Sequence, residues 1–138
     1  MGMGHLSLIE KRDLLYSKNL TPELARRHGG DFLAEGLNYD ALSFFLKFKD
    51  IDGLRKLVDV SLEDGDSFLF LKTYKALGEP PPPELLRKVG EKAFSLQKYY
   101  YAKVAFEHLN DAALLEKVRP FIPAVEEVKP PVGAETEV

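Results

Sequence analysis

The sequence predicts an all-α fold in which three helical hairpins follow one another along a single domain of 138 residues. Three observations lead to this prediction. Glycines and capping residues divide the chain between Ser7 and Phe121 into short segments with helical apolar spacing. One long stretch of sequence occurs twice, as Pro22–Leu57 and again, with changes, as Pro83–Val118. Finally, no tight Asn-Gly or Asp-Gly turn joins two alternating apolar runs, so strand hairpins are not indicated.

Each predicted helix has a local start or stop signal. A leading helix is expected over Leu6–Leu20. Side chains that can accept a hydrogen bond from a free backbone N–H precede the later helices. The predicted caps are Thr21 before Pro22, Asn38 for Tyr39–Lys49, Asp50 for Ile51–Glu63, Asp66 or Ser67 for Phe68–Leu77, and Asp111 for Ala112–Phe121. Glycine accepts the left-handed conformation that ends helices, and three are placed accordingly: Gly36, Gly65 and Gly78.

Prolines and composition set the remaining boundaries. The run Pro80–Pro83 predicts an extended linker, because consecutive prolines cannot continue a helix. Residues 122–138 are rich in Pro, Glu and Val without a periodic apolar face, which predicts a disordered tail. We therefore divide the chain into an N-terminal segment over residues 1–20, a helical repeat domain over 21–121, and the tail.

The internal repeat is the strongest signal in the sequence. Aligning Pro22–Leu57 with Pro83–Val118 gives eleven identical pairs in 36 ungapped positions, whereas ordinary residue usage would give roughly two or three. The offset between the two copies is long enough for two helical hairpins, so a third, more divergent unit is expected between them. The predicted units cover residues 22–50, 51–82 and 83–111, followed by a partial unit over 112–121.

These units resemble tetratricopeptide repeats, which are helical hairpins with small and aromatic residues at set positions. The small position of the first helix holds Gly29, Val58 and Gly90. The alanine position of the second helix holds Ala41, Phe70 and Ala102. The aromatic position four residues later holds Phe45, Tyr74 and Phe106. The units are shorter than the family's period of about 34 residues, and the family's early tryptophan is absent.

The resemblance implies a right-handed superhelical stack with a leading N-terminal helix and a C-terminal capping helix. Glycine inside a helix costs about 1 kcal/mol relative to alanine, so Gly29 and Gly90 predict close approach of the paired helix. Ala41 and Ala102 are the expected opposing residues. The aromatic residues are expected to fill the space between successive hairpins, because one hairpin cannot bury its apolar face alone.

A row of arginines is the main candidate site. Arg26, Arg55 and Arg87 occupy the fifth position of the three units, and the resemblance implies that this position faces a concave groove. Guanidinium groups bind carboxylates with two hydrogen bonds, which suits a peptide groove. The alternative is that these arginines lie on a solvated face or pair with Glu23, Asp59 and Glu84. The further predicted partner-binding residues are Leu33, Leu62, Phe94, Tyr99 and Tyr101.

No pattern in the sequence indicates catalysis, a cofactor or a metal. The chain has no cysteine. Its three histidines, His5, His28 and His108, have no neighbours at ligand spacing. Glu63 to Asp66 lacks the alternating ligands and bidentate glutamate of a calcium loop. We therefore predict that the protein is not an enzyme and has neither cofactor nor bound metal.

The sequence predicts a protein-interaction module or adaptor, with a protein or peptide partner that is acidic if the arginines bind it. A nucleic-acid or polyanion binder is the first alternative, although the net charge of −3 argues against it. The second is a self-associating structural or regulatory subunit, such as a homodimer, because the stack has two exposed ends. No signal peptide or membrane-spanning run is predicted, which makes a cytoplasmic location the expectation.

Overall fold

A computed structural model describes residues 8–123, except for the side chain of Leu8. Within this part of the chain the structure is helical and contains no strand, which confirms the all-α prediction. The helices are α1 (Leu8–Leu15), α2 (Pro22–Ala34), α3 (Asn38–Lys47), α4 (Ile51–Asp64), α5 (Ser67–Leu77), α6 (Pro83–Ser95), α7 (Tyr99–Leu109) and α8 (Ala112–Val118), followed by a 3-10 turn at Arg119–Phe121. From residue 124 onwards, the tail predicted to be disordered lies outside the described residues.

Most of the predicted caps form. The side chains of Thr21, Asp50, Asp66 and Asp111 each accept a hydrogen bond from the backbone N–H three residues later, at 3.0 to 3.1 Å. These bonds satisfy amide groups that would otherwise be left without a partner at a helix start. The local start signals of α2, α4, α5 and α8 were therefore readable from the sequence.

Several predicted boundaries were wrong. Helix α3 ends at Lys47 rather than Lys49, α8 ends at Val118 rather than Phe121, and three other boundaries differ. Asn38 does not cap α3 but is its first residue, and its amide instead reaches Asp64 at 3.5 Å. The leading helix ends at Leu15 rather than Leu20, where the Ser17 hydroxyl accepts the Asn19 N–H in a turn that competes with the helix. Pro83 is the first residue of α6 and not part of the linker, since proline lacks the N–H that the first helical position leaves unused.

The turns repeat as the helices do. Every described residue with positive φ lies at one of two recurring places, after a first helix or after a second helix of a hairpin. After the first helices these residues are Gly36, Gly65 and Gln97, and after the second helices they are Lys49, Gly78 and Asn110. In both series the sequence distance from the first turn to the second is shorter than that from the second to the third, and the two distances are the same in each series. The predicted starts of the three units have the same spacing. The backbone therefore repeats even where glycine has been replaced by a residue that disfavours this conformation.

Each hairpin packs as a pair of neighbouring helices: α2 with α3, α4 with α5, and α6 with α7. We call α2, α4 and α6 the first helices, and α3, α5 and α7 the second helices. The first helices contact one another in series, as do the second helices, while α1 packs on α3 and α8 on α7. The buried side chains between the two layers form the core, with Phe32, Phe44, Phe45, Phe70 and Phe106 as its largest members.

Phe45 explains the glycines at the first junction between hairpins. A Cβ atom added to Gly29 would lie 2.4 Å from the Phe45 ring, and one added to Gly53 in the next hairpin would also lie 2.4 Å from it. The ring is therefore held between two helix backbones, one from each hairpin. Phe106 meets Gly90 in the same way, at 2.5 Å.

The predicted close approach at Gly29 was right, and the nearest atoms of the paired helix belong to Phe45. Gly29 faces the Phe45 ring, and Ala41, also buried, is not among the atoms nearest to it. The small residues thus accommodate the aromatic ring between hairpins.

Candidate functional site

The three arginines of the predicted row lie on the first helices, and each forms an ion pair with an acid that lies beyond its own hairpin helices. Arg26 Nε is 3.0 Å from Asp50 Oδ2. Arg55 and Arg87 form the equivalent pairs with Glu79 and Asp111, at 2.8 and 3.3 Å. The sequence separation of arginine and acid is the same in all three pairs, so the interaction repeats with the hairpins.

The predicted alternative partners were therefore wrong. Glu23, Asp59 and Glu84 lie on the same helices as the arginines, but the recorded pairs reach across to the end of the hairpin instead. An ion pair to the end of the hairpin is favoured where the acid already has a fixed position. An aspartate that caps a helix accepts a backbone N–H with one carboxylate oxygen, and its other oxygen is free to bind a cation. Asp50 and Asp111 act in this way.

The middle pair differs from the other two. Glu79 is separated from the start of α6 by the proline run and does not cap it. Its hydrogen bond raises the pKa of the Arg55 guanidinium above its ordinary value. Both side chains remain nearly half exposed. This pair is a surface ion pair, of a kind that contributes little to stability, and it remains open to competition from a partner's carboxylate.

The apolar residues predicted beside the arginines are half-buried. Leu33 and Leu62 pack against the main core, so each offers only an edge to a partner. Phe94 is covered further: its ring contacts Tyr99 and Phe121 at centroid distances of 5.4 Å each, and the Lys117 ammonium lies 5.2 Å above it. Phe94 thus belongs to the C-terminal end of the stack, where its ring is less accessible to a partner than a residue of an open groove would be.

A depression of about 340 Å³ opens at the junction of α2 and α4, beside the first arginine. Its apolar wall consists of Leu33, Ala34 and the edge of Phe45. Its remaining lining residues are Arg26, Gly30, Asp50, Asp52, Gly53 and Lys56. The charges of these side chains balance, and the Lys56 side chain has no partner among the described residues.

The three consecutive tyrosines point in different directions, and the exposed one is not among those predicted. Tyr99 and Tyr101 are half-buried, with Tyr99 stacked on Phe121 at 4.5 Å. Tyr101 packs edge-on against Phe68 at 5.0 Å. Tyr100 is 50% exposed. Three successive helical positions face three directions, and identifying the outward one requires the packing of α7 on α5.

Tyr39 occupies in the first hairpin the position of Tyr100 in the third. Its hydroxyl donates to the carboxylate of Asp66 at 3.4 Å, which ties α3 to the start of α5. Burial, and then the negative charge of Asp66, raise the pKa of the Tyr39 phenol to about 12. Tyr100 has no following hairpin within the described residues to hold its hydroxyl in this way, although the two tyrosines are almost equally exposed, at 46% for Tyr39 and 50% for Tyr100.

Candidate sites of other classes are not found in the described part of the chain. No group of three or more histidine, aspartate or glutamate side chains there is arranged to hold a metal ion. None of its helices combines the length and apolar character needed to cross a bilayer. His28 packs against Phe44 at 5.6 Å, and its Nδ1 is buried without a hydrogen-bond partner.

Comparison with protein-family models finds no match for this chain, and comparisons with curated proteins and with solved structures find no similar protein. Sequence reasoning missed Gly53, Glu79 and the pairing of Asp50 and Asp111 with the arginines. Gly53 had a detectable signal, because glycine in a helix interior requires a reason. The constant spacing of arginine and acid was also visible, but its meaning depends on how hairpins stack.

Proposed function

We propose that this chain is a protein-interaction module whose first helices hold a segment of a partner protein, centred on the depression between α2 and α4. The observation that carries the proposal is the depression itself. It lies next to Arg26 and Leu33, two of the residues that the sequence pattern selected for partner binding. The proposal assigns no chemical reaction to the chain.

The depression is a departure from the repeat, which suggests selection for an occupant. In the later units the position of Gly30 is held by Asp59 and Glu91, whose side chains extend outward. A Cβ added to Gly30 meets nothing within 4 Å. The first junction alone therefore lacks a side chain at this place among the three units, although glycine there lowers helix stability by about 1 kcal/mol relative to alanine.

The chemistry of the lining indicates the kind of side chain that fits. An aliphatic stem can pack on Leu33 and Ala34, while a polar or charged tip meets Arg26 or Lys56. A carboxylate tip would compete with Asp50 for Arg26, whose side chain is 65% exposed and has free N–H groups. An acidic or mixed-charge segment of a protein therefore fits better than a purely apolar one.

We further propose that the three hairpins form a right-handed superhelix like that of tetratricopeptide repeats, in a cytoplasmic adaptor. The repeated left-handed turns and the recurring arginine–acid pairs support this arrangement. They imply that each hairpin follows the previous one with similar geometry, as in solenoids. Nucleic-acid binding is less well supported, because the net charge of the chain is −3 and the depression has an apolar wall and balanced charges.

Self-association is a second candidate function, favoured by the aromatic cluster at the C-terminal end. Phe121 is 48% exposed and Tyr100 50% exposed, and both line a shallow depression of about 200 Å³. Exposed aromatic clusters are typical of interfaces. Light scattering over a concentration series tests it: a dimer that a Tyr100→Ser, Phe121→Ser double variant abolishes supports self-association, and a monomer throughout contradicts it.

The main proposal is tested by filling the depression. Tagged wild-type chain is incubated with cell lysate, and co-purifying proteins are quantified by mass spectrometry. Gly30→Glu places in the first unit the residue that the third unit carries, and we expect it to reduce recovery of the specific partner at least about tenfold. Ala113→Glu adds the same residue at an exposed position of α8 and should leave recovery unchanged.

Both variants change exposed helix positions, so circular dichroism should show native helix content and cooperative melting for each. With folding established, equal recovery by Gly30→Glu and wild type would rule out the depression as the binding site. Loss of recovery with both variants would point to a general charge effect and would also contradict the proposal.

A further inference from the structure

The second helices present an apolar groove on another surface of the molecule, away from the arginine row. The groove lies between α3 and α5, has a volume of about 350 Å³, and is lined by Leu42, Leu46, Lys72, Lys75 and Ala76. Leu46 is 49% exposed. Apart from the two lysines, the lining is aliphatic, so water in the groove is poorly satisfied and an apolar side chain would displace it favourably.

The two lysines are not neutralised. The side chains of Lys72 and Lys75 form no ion pair or hydrogen bond among the described residues, and α5 contains no acidic residue. The single carboxylate of α3 and the one that directly precedes α5 are already engaged. Asp40 of α3 pairs with Lys11 at 3.1 Å, and Asp66 caps α5.

The same surface continues towards α7. Phe68 lies four residues before Lys72 on the same side of α5. Its ring stacks with that of Tyr100 at 6.1 Å, and the Lys103 ammonium lies 6.0 Å from the Tyr100 ring. Lysines thus flank apolar and aromatic groups from α5 to α7. This surface is longer than a single side chain of a partner would occupy.

We propose that this groove, with Lys72 and Lys75 at its edge, docks an acidic amphipathic helix of a partner protein. Leucine-like side chains at spacings of three and four residues would enter the groove over Leu42, Leu46 and Ala76. Aspartate or glutamate side chains beside them would meet the two ammonium groups. This is helix-in-groove recognition with charge complementarity at the rim.

A protein helix fits this surface better than a nucleic acid does. Phosphate backbones require a row of cations and, for single strands, stacking platforms along their path. Here the floor of the groove is aliphatic, and its cations flank it on one helix. The arginine row does form a line of cations, but its cations are already paired with carboxylates of the chain.

The test uses the full chain and a phage-displayed library of short random peptides, each long enough for about four helical turns. Enriched sequences are synthesised, and binding is measured by fluorescence polarisation. We expect enriched peptides to carry apolar residues at helical spacing together with aspartate or glutamate. Their affinity should fall at least about tenfold in the Lys72→Glu, Lys75→Glu double variant, and also in Leu46→Asp. The control Lys88→Glu, Lys92→Glu makes the same charge change at exposed positions of α6 and should retain binding.

Changes in the amide chemical shifts of the chain on addition of an enriched peptide locate the binding site. We expect the largest changes in α3 and α5. Enrichment without acidic residues, or no enrichment at all, would overturn the proposal. So would peptides that lose binding with Gly30→Glu but keep it with the lysine reversal, since they occupy the first-helix site. A single-stranded DNA oligonucleotide is included as a probe. If it binds more tightly than any peptide and Leu46→Asp leaves its affinity unchanged, the surface is a polyanion site and the helix proposal is wrong.

Discussion

Two adjacent glycines in α2 provide a test in which the same substitution has opposite effects. Gly29 and Gly30 both lie in the interior of the helix, so alanine at either position should gain about 0.5–1 kcal/mol of helix propensity. Their surroundings differ. A Cβ at Gly30 meets nothing within 4 Å, whereas a Cβ at Gly29 would overlap three atoms of the Phe45 ring, at 2.4, 2.7 and 3.0 Å.

The overlap at Gly29 is not easily relieved. Phe45 is 2% exposed, and its ring also meets Gly53 of the next hairpin, whose own added Cβ would lie 2.4 Å away. A buried ring that touches the backbones of two hairpins has little room to move away from the added methyl group. Overpacking of this kind costs about 1–3 kcal/mol, and we expect it to exceed the propensity gain.

We therefore expect Gly30→Ala to raise the free energy of unfolding by about 0.5–1 kcal/mol and Gly29→Ala to lower it by about 1–2 kcal/mol. At roughly 4 °C per kcal/mol for a domain of this size, the two melting temperatures should differ by about 6–12 °C. Urea denaturation and thermal melting, both followed by far-ultraviolet circular dichroism, measure these two quantities.

A third variant identifies the cause. Phe45→Leu shortens the ring to a branched aliphatic chain, so it should cost less in the Gly29→Ala background than in the wild type, with a coupling of about 1 kcal/mol or more. Additive effects in this cycle would show that the ring is not the obstacle. Equal stabilisation by alanine at both glycines would refute the close approach of the hairpins altogether.

Two further predictions concern the ion pairs and the tyrosine at the hairpin junctions. Asp50→Ala should lower stability by about 1 kcal/mol, and by more than Arg26→Ala, because it removes the cap of α4 as well as the ion pair; equal losses in urea denaturation would contradict the double role. Tyr39 has its pKa raised to about 12, so the unfolded chain loses this proton first and stability should fall as pH rises from about 10 towards 12. Tyr39→Phe should reduce that fall in denaturation measured across the range, and an unchanged profile would exclude Tyr39 as its source.

The sequence was most informative where a local interaction decides the structure. A capping aspartate acts on an amide three residues away, so Asp50 and Asp111 could be recognised without knowing the fold. The left-handed turns show the limit of this reasoning. Gly65 was identifiable from its residue type, whereas Gln97 adopts a positive φ in the equivalent turn of the next unit although glutamine disfavours it. There the stacking of helices determines the turn, and only the repeat could have indicated it.

The candidate site shows the same division more sharply. The periodicity of the arginines was readable, but each partner lies almost a whole repeat unit ahead in the chain, and which acid they meet depends on the stacking of hairpins. That outcome alters what the row can do. A guanidinium held by Asp50 contributes to the junction and offers a partner only its remaining N–H groups, whereas Lys72 and Lys75, which the periodic pattern did not select, are fully available. In this chain the first arginine of the row links two hairpins and the last links the third hairpin to α8. The binding surfaces that we propose rest instead on irregular features, Gly30 on one surface and the unpaired lysines on the other.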